Sequence, residues 1–521
     1  MSALYNAEMS ISSIHINQML FYYYFYHYFF EKGSQVFVLS YSLSRKGWIT
    51  IKETKSLNKV LSKVDILFLA FGAMIGWGWV VLSGTWIESA GTLGAMIAFL
   101  IGGVLVTFVG LTYAELASAM PAAGGALSYV LRGVGPKAAF VASWALALGY
   151  ISVVAFEAVA LPTVIEYVFP NYKVGFMYSI TGYDVYLTWV LVGVIGSILV
   201  TLINYFGVKS AAILQMVLTI VIGLIGLMLI FGAGFTSDLG DAKPLFLDGT
   251  VGIITVLIMT PFMFVGFDVI PQTAEEMNVE PKLIGKILVF SVSLAVIWYI
   301  AIIYAVGVSL DKNIITTSVL PTADAMAKVY GSSIFANILI IGGVAGILTS
   351  WNAFIIGGSR VLYSMAEKKM IPAWFGKLHP KTNTPTNAVL FIGAISMISP
   401  LLGRPMLVWL VDAGGLAIVL AYLFVAIAFV QLRKNAPEMA RPFRAGKSNI
   451  VGWVALVLSI GFIALYLPGM PAALIWPYEW LIFAGWWAIG LLLMFKMRKN
   501  YSSGEMKYNE VQLPMEDVKE G

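Results

Sequence analysis

The chain has 521 residues, 60% of them hydrophobic and only 11% charged, with a net charge of +5 and a mean hydropathy of +0.87. That balance excludes an ordinary soluble domain and leaves room for about a dozen membrane-spanning helices. Cysteine is absent, which excludes a disulfide framework, a thiol nucleophile and a thiolate metal site, and the histidines His15, His27 and His379 are too scattered to suggest a metal cluster.

Residues 1–62 precede the first spanning run. Leu20–Phe30 is apolar but too short to cross a bilayer, and it lacks the charged leader and cleavage site of a signal peptide. It reads as an interfacial segment, a disordered cytoplasmic extension, or translation from an upstream start. The basic stretch Arg45–Lys63 reads as a flank of the first helix.

Twelve apolar runs follow, at 64–88, 94–119, 138–168, 186–206, 210–235, 250–273, 284–309, 333–362, 386–402, 405–432, 449–469 and 477–496. With an even number, both termini share one side. Loops on that side hold 27 of the 32 Lys and Arg, and loops on the other hold 5. The asymmetry predicts cytoplasmic termini, and it accounts for the positive charge without a nucleic-acid partner.

The first run contains Gly72-Ala73-Met74-Ile75-Gly76-Trp77-Gly78-Trp79. Three closely spaced glycines make a poor continuous helix. A break at membrane depth frees backbone groups that are costly in lipid, and it survives where protein or a wet cavity surrounds it. The alternative is close packing of small residues between two helices. The sixth run is interrupted too, by Pro261 and Gly266, with Asp268 following at membrane depth. Runs one and six open two five-helix sets. An odd number per set inverts the second, and broken helices at matching positions in inverted halves point to a transport site near the midplane.

Six segments in this order resemble the amino acid–polyamine–organocation transporters. They are the glycine stretch at Gly72–Gly78; Tyr113 and Glu115 ending the second run; Pro121, Gly124, Gly125 and Tyr129; Asn204, Gly207, Val208 and Lys209; Phe264–Asp268 with Glu275, Glu276 and Pro281; and Ser359-Arg360 through Pro372, His379-Pro380 and Pro385. The resemblance covers about 64–440. It implies an all-α membrane protein of twelve transmembrane helices. Their core is a 5+5 inverted repeat, 63–236 and 237–434, with helices 1 and 6 discontinuous. Two peripheral helices lie in 435–498, and a cytoplasmic tail in 499–521.

The resemblance also implies that a substrate carboxylate meets the N–H groups of Gly76, Trp77 and Gly78, beside Ala73 and Met74. Half-helix N-termini favour an anion there. The substrate ammonium meets carbonyls around Phe262–Val265, with Phe264 and Phe267 capping the side chain. Many relatives carry Ser or Thr where this chain has Trp77. That indole, and Trp79, either reshape the pocket or pack in the core.

Asp268 is a functional candidate because a carboxylate in the membrane is costly. It takes a proton, steadies the unwound helix, or caps the next half-helix. Glu157, in the middle of the third run, counters a cationic substrate, carries a proton, or holds its helix to a neighbour as a neutral acid. Glu115 and Arg360 form a gate or sit at solvated helix ends. Some proton-coupled relatives carry a lysine within span 5, but here that position is near Ile222. Thr349 and Ser350, with the carbonyls of Ala73 and Met74, resemble a sodium site of this fold; hard oxygen ligands suit such an ion. Such hydroxyls also bond back within their own helix.

The expected activity is secondary transport of an amino acid or related amine, including polyamines, across the plasma membrane by alternating access. Sodium coupling, proton coupling and exchange all stay open, as does a non-transporting amino acid receptor. An enzyme fits poorly: there is no H-E-x-x-H and no phosphate loop ending in GK[ST]. No cofactor is expected. Trp77, Trp79, Phe264 and Phe267 favour a neutral side chain, while Glu157 and Asp268 favour a cation.

Overall fold

The computed structural model describes residues 38–43, 49–54, 57–236, 242–318, 320–470 and 472–502. Leu20–Phe30, His15, His27 and the tail from 503 lie outside the described residues.

Ten helical segments are long and apolar enough to cross a membrane, and two shorter apolar helices, Thr386–Leu402 and Ile450–Leu465, fall on the ninth and eleventh expected runs. The first span is two helices, α1 (Lys63–Met74) and α2 (Gly78–Ala90). Ser62 and Asp65 close a capping box at the start of α1. The second span is α3 (Thr92–Ala119), followed by the short α4 (Gly125–Gly133). The third is α5 (Pro136–Val168), almost wholly enclosed by protein. Then come α6 (Leu187–Tyr205) and α7 (Val208–Thr236).

The sixth span is three pieces, α8 (Gly249–Leu257), α9 (Thr260–Phe264) and α10 (Val269–Gln272). It is followed by α11 (Pro281–Ser309), the short α12 (Lys312–Thr317) and α13 (Pro321–Tyr330), and α14 (Ser333–Glu367). The chain ends with α15 (Thr386–Ile398), α16 (Met406–Asn435), α17 (Ile450–Leu465) and α18 (Tyr478–Ser502).

The core is built on α5, which packs against α14 and α16, while α3 packs along α11 and α14 along α7. The faces turned away from this core are apolar. Phe231 and Phe235 on α7 and Leu492 and Phe495 on α18 are exposed, which suits lipid and not water. The last helix is pinned by a reciprocal pair. The Trp144 indole donates to the Trp486 carbonyl at 3.0 Å, and the Trp486 indole to the Trp144 carbonyl at 2.9 Å. Their rings stack 4.2 Å apart.

Two small antiparallel ladders depart from a purely helical expectation. β1 (Val38–Leu43) pairs with β2 (Ile49–Thr54) inside the N-terminal extension. β3 (Phe176–Ile180) pairs with β4 (Tyr183–Tyr186) between α5 and α6. The second turns on Thr181 (φ 47°) and Gly182 (φ 81°), both left-handed as a tight hairpin turn requires. The last helix also runs to Ser502, past the expected start of the tail at 499.

Candidate transport site

The first interruption is Ile75-Gly76-Trp77. Ile75 N–H still bonds to Phe71 O, and the next main-chain bond is Val80 N–H to Trp77 O. Among the described residues, no carbonyl accepts from the N–H of Gly76, Trp77 or Gly78. These donors cluster at the N-terminus of α2, where the helix dipole favours negative charge.

The sixth span turns at Ile258–Met259 and again, more openly, at Val265–Asp268. Val265 is extended (φ −59°, ψ 142°) and Gly266 has φ +133°. Gly266 lies against the first span: a Cβ there would sit 2.8 Å from Ala73 Cβ and 2.9 Å from Met74 N. A Cβ on Gly78 would meet Met263 Sδ at 2.6 Å. The two interruptions are therefore in direct contact. Tyr299 on α11 joins them, its hydroxyl lying 2.8 Å from Met74 O and 3.1 Å from Met263 O, the ends of the two half-helices.

On its other side the first break meets α14 and α5. Gly76 abuts Ser350 and the Gly346 carbonyl, and Gly346 abuts Gly76 in return. The Ser350 hydroxyl donates to Glu157 Oε1. Glu157 is buried and its Oε2 has no partner among the described residues. The Trp77 ring fits over Gly343 and is fully buried; Trp79 donates its indole N–H to Ile75 O at 3.1 Å and packs edge-on to Trp298.

Thr349 and Ser350 hydroxyls both lie within bonding distance of Gly346 O, at 2.8 and 3.0 Å. No hydrogen bond joins them to Ala73 or Met74 among the described residues, and Met74 O already accepts from Tyr299.

The aromatic residues of the sixth break point to separate surroundings. Phe262 packs on Phe156, Phe264 on Phe99 and Tyr299, and Phe267 on Tyr113 and Tyr422. The Asp268 side chain does not cap α10; its Oδ1 accepts from Gly266 N–H at 2.9 Å, closing the turn on itself. Among the described residues its Oδ2 has no hydrogen-bond partner, nor do the buried hydroxyls of Tyr113, Tyr129, Tyr150 and Tyr422. Tyr113 packs edge-on to Tyr129, Phe267 and Tyr422, which gathers three of these tyrosines beside the sixth break. Several buried polar atoms without partners in one place are unusual, because each costs roughly 1–3 kcal/mol when left unpaired.

A family model described as Amino acid permease matches residues 61–492. The chain belongs to the amino acid permease family. Its relatives include the branched-chain amino acid permease BcaP of Bacillus subtilis (strain 168), 26% identical over 480 residues covering 86% of this chain and 95% of that protein. The methylthioribose transporter of the same organism is 26% identical over 474 residues, covering 86% and 95%. Its aspartate-proton symporter is 25% identical over 420 residues, covering 78% of each chain. The permease is thus a multi-pass membrane transporter of the amino acid–polyamine–organocation type that its motifs resemble.

The face of the permease that carries the basic loops is tied by buried ion pairs. Arg360 on α14 grips Glu276 with two bonds, Nε to Oε2 at 2.7 Å and Nη2 to Oε1 at 2.9 Å, both side chains buried. Glu115, at the end of α3, is buried between Arg433 and Arg441 and accepts from Ala445 N–H at 2.8 Å. Neither residue is a solvated helix end.

Beside the first pair, Glu275 accepts from Leu57 N–H at 3.1 Å and Ala123 N–H at 3.3 Å. Val60 and Leu61 N–H both bond to Glu276 O, so the lead-in to α1 is strapped to the segment after the sixth break. Burial raises the Glu275 carboxyl above its usual range, against the pull of the two N–H donors. Burial likewise lowers Arg441, with Glu115 opposing.

The motifs pointed to both breaks but not to Tyr299, Gly343 or the tyrosines of α5 and α16. A tyrosine in an apolar run gives no sign of its partner, and Gly343 matters only because Trp77 lies over it.

Proposed function

We propose that the permease carries an amino acid across the plasma membrane by alternating access, with the substrate held between the two helix breaks. The reading comprises twelve spans in a 5+5 inverted core, with the two short apolar helices as spans nine and eleven, α17 and α18 peripheral, and the basic face cytoplasmic. The observation that carries it is the contact of Gly266 with Ala73 and Met74, which sets free donors and a distorted carbonyl run side by side. The substrate carboxylate bonds to the N–H groups of Gly76, Trp77 and Gly78. Its ammonium faces carbonyls of Phe262, Phe264 and Val265. Trp77 faces Gly343 and acts as packing, so the pocket is shaped chiefly by Phe264, Phe267 and the Ser350 face.

Coupling is assigned to a proton on Glu157. An ionised carboxylate buried without a cationic partner is very costly. Glu157 instead touches Ser350, which lies on Gly76, so its protonation is felt at the carboxylate site. The aspartate-proton symporter among the relatives is in keeping with this. Asp268 supports the unwound turn through Gly266.

The test is uptake into proteoliposomes of radiolabelled leucine, alanine, aspartate, histidine and lysine, with an imposed proton or sodium gradient. Uptake of at least one, driven by the proton gradient and lost in Glu157→Gln, is expected. Absence of uptake and exchange for all five would sink the transport reading; a sodium-driven rate unaffected by Glu157→Gln would sink the proton assignment alone.

A further inference from the structure

On the face away from the basic loops, a cleft of about 520 Å³ opens between α2, α5, the β3–β4 hairpin and the segments before α13 and α16. That volume is within the usual range for small-molecule sites, roughly 300–1,000 Å³. Its walls include Thr85, Glu88, Thr163, Tyr183, Thr316 and Arg404. Glu88 and Arg404 are its charged side chains, of opposite sign and both exposed. Among the described residues neither makes an ion pair or a hydrogen bond, whereas Glu115, Glu276, Arg360 and Arg433 are all paired.

We propose that this cleft is an outer capture site for zwitterionic α-amino acids, with Glu88 facing the ammonium and Arg404 the carboxylate. The inference rests on the transport reading above and adds to it a second binding place along the same path. Three observations converge on it. The first is the pair of unlike, unpartnered charges on the walls of one cavity. A concave site with low-dielectric walls focuses their field, so a dipolar solute is both concentrated and oriented there. A purely anionic or purely cationic solute is attracted by one wall and repelled by the other.

The second is position. Glu88 lies on α2, the helix whose N-terminus is the first break. Ten residues of helix separate it from Gly78, roughly 15 Å at 1.5 Å per residue. The third is access. The opposite end of the bundle is tied by the Arg360–Glu276 pair and by Glu115 with its two arginines, and the cleft lies at the end without these ties.

The test is initial-rate uptake into right-side-out vesicles of whichever amino acid among leucine, alanine, histidine and lysine the wild type takes up best. Variants are Glu88→Gln, Arg404→Gln, Glu88→Asp and Arg404→Lys; both positions are exposed, so folding is preserved. Each neutralisation is expected to raise KM about five- to tenfold while Vmax stays within about twofold. Each charge-keeping variant is expected to stay near wild type. Unchanged KM in both neutral variants would overturn the proposal, as would a loss of Vmax at constant KM, which reports gating instead of capture. A wild type that takes up none of the four overturns it, and the transport reading falls with it only where aspartate too is neither taken up nor exchanged, whereas an active wild type with indifferent variants overturns it alone.

Discussion

The Tyr299 hydroxyl bonds to the main-chain carbonyl of Met74, 225 residues away in sequence and at the end of the first half-helix. The same hydroxyl lies 3.1 Å from Met263 O, so one side chain on α11 shields both interrupted spans. Its ring is stacked 5.0 Å from Phe99 and packs against Phe264 at 5.3 Å, so Phe fits in its place. Tyr299→Phe removes the one proton shared between these carbonyls and is expected to leave Met74 O, its nearer acceptor, without that donor, at a cost of about 1–3 kcal/mol. A melting temperature lowered by a few degrees in detergent, with transport reduced more than tenfold, is the expected result. Wild-type uptake in this variant would show that the hydroxyl does not set the geometry of the breaks.

Gly266 is required twice over. Its φ of +133° is a conformation L side chains rarely adopt, and an added methyl would lie 2.8 Å from Ala73 Cβ. Gly266→Ala is expected to abolish uptake and reduce the yield of monodisperse protein. Gly223, in the interior of α7, has nothing within 4 Å of a built Cβ. Gly223→Ala therefore serves as the control, neutral or stabilising by up to ~1 kcal/mol because alanine is the better helix former. The pair is read by thermal shift and uptake; equal behaviour would mean that the contact between the breaks is dispensable.

These two sites mark where sequence reasoning reached and where it stopped. Gly76, Gly78, Pro261 and Gly266 declare interruptions by themselves, because glycine and proline weaken a helix whatever surrounds them. The partners do not declare themselves. Glu157 was visible as a deep acid, yet its contact with Ser350 depends on how α5 crosses α14. Trp77 looked like a departure that would crowd a pocket; in the structure the missing side chain of Gly343 makes room for it. The hairpin at 176–186 was legible in principle, since alternating Tyr, Ile and Val flank Thr181-Gly182, but the hydropathy of its neighbours masked it.

Glu275 gives the basic-face strap a dependence on pH. Burial raises its carboxyl above the ordinary value of 4.5; the N–H groups of Leu57 and Ala123 oppose this, and Glu367 and Glu276 add to the rise. A folded-state value above the unfolded one means that protonation favours the folded form through burial, although it weakens the two N–H bonds, which prefer the ionised carboxylate. This contribution is complete below about pH 4.5 and is lost as pH climbs through the raised value. The expected observation is a wild-type melting temperature that falls between pH 4.5 and neutrality more steeply than that of Glu275→Gln. Parallel curves for the two proteins would remove Glu275 from the balance.

The Arg360–Glu276 pair is the firmest tie between α14 and the segment after the sixth break, and both partners are almost completely buried. Burying two charges is expensive, so the pair adds little net stability, but removing one partner strands the other and costs about 3–5 kcal/mol. Arg360→Met and Glu276→Gln are each expected to lower the melting temperature sharply, and the double variant to regain most of the loss. If the pair must part for the basic face to open, the double variant will also open more readily. Because the chain has no cysteine, a single Ala126→Cys, at a buried position of α4, reports this directly. It is expected to react slowly with a membrane-impermeant maleimide in the otherwise wild-type protein and several-fold faster in the double variant. Equal labelling rates would mean that the pair travels intact through the transport cycle, and that opening occurs elsewhere on this face.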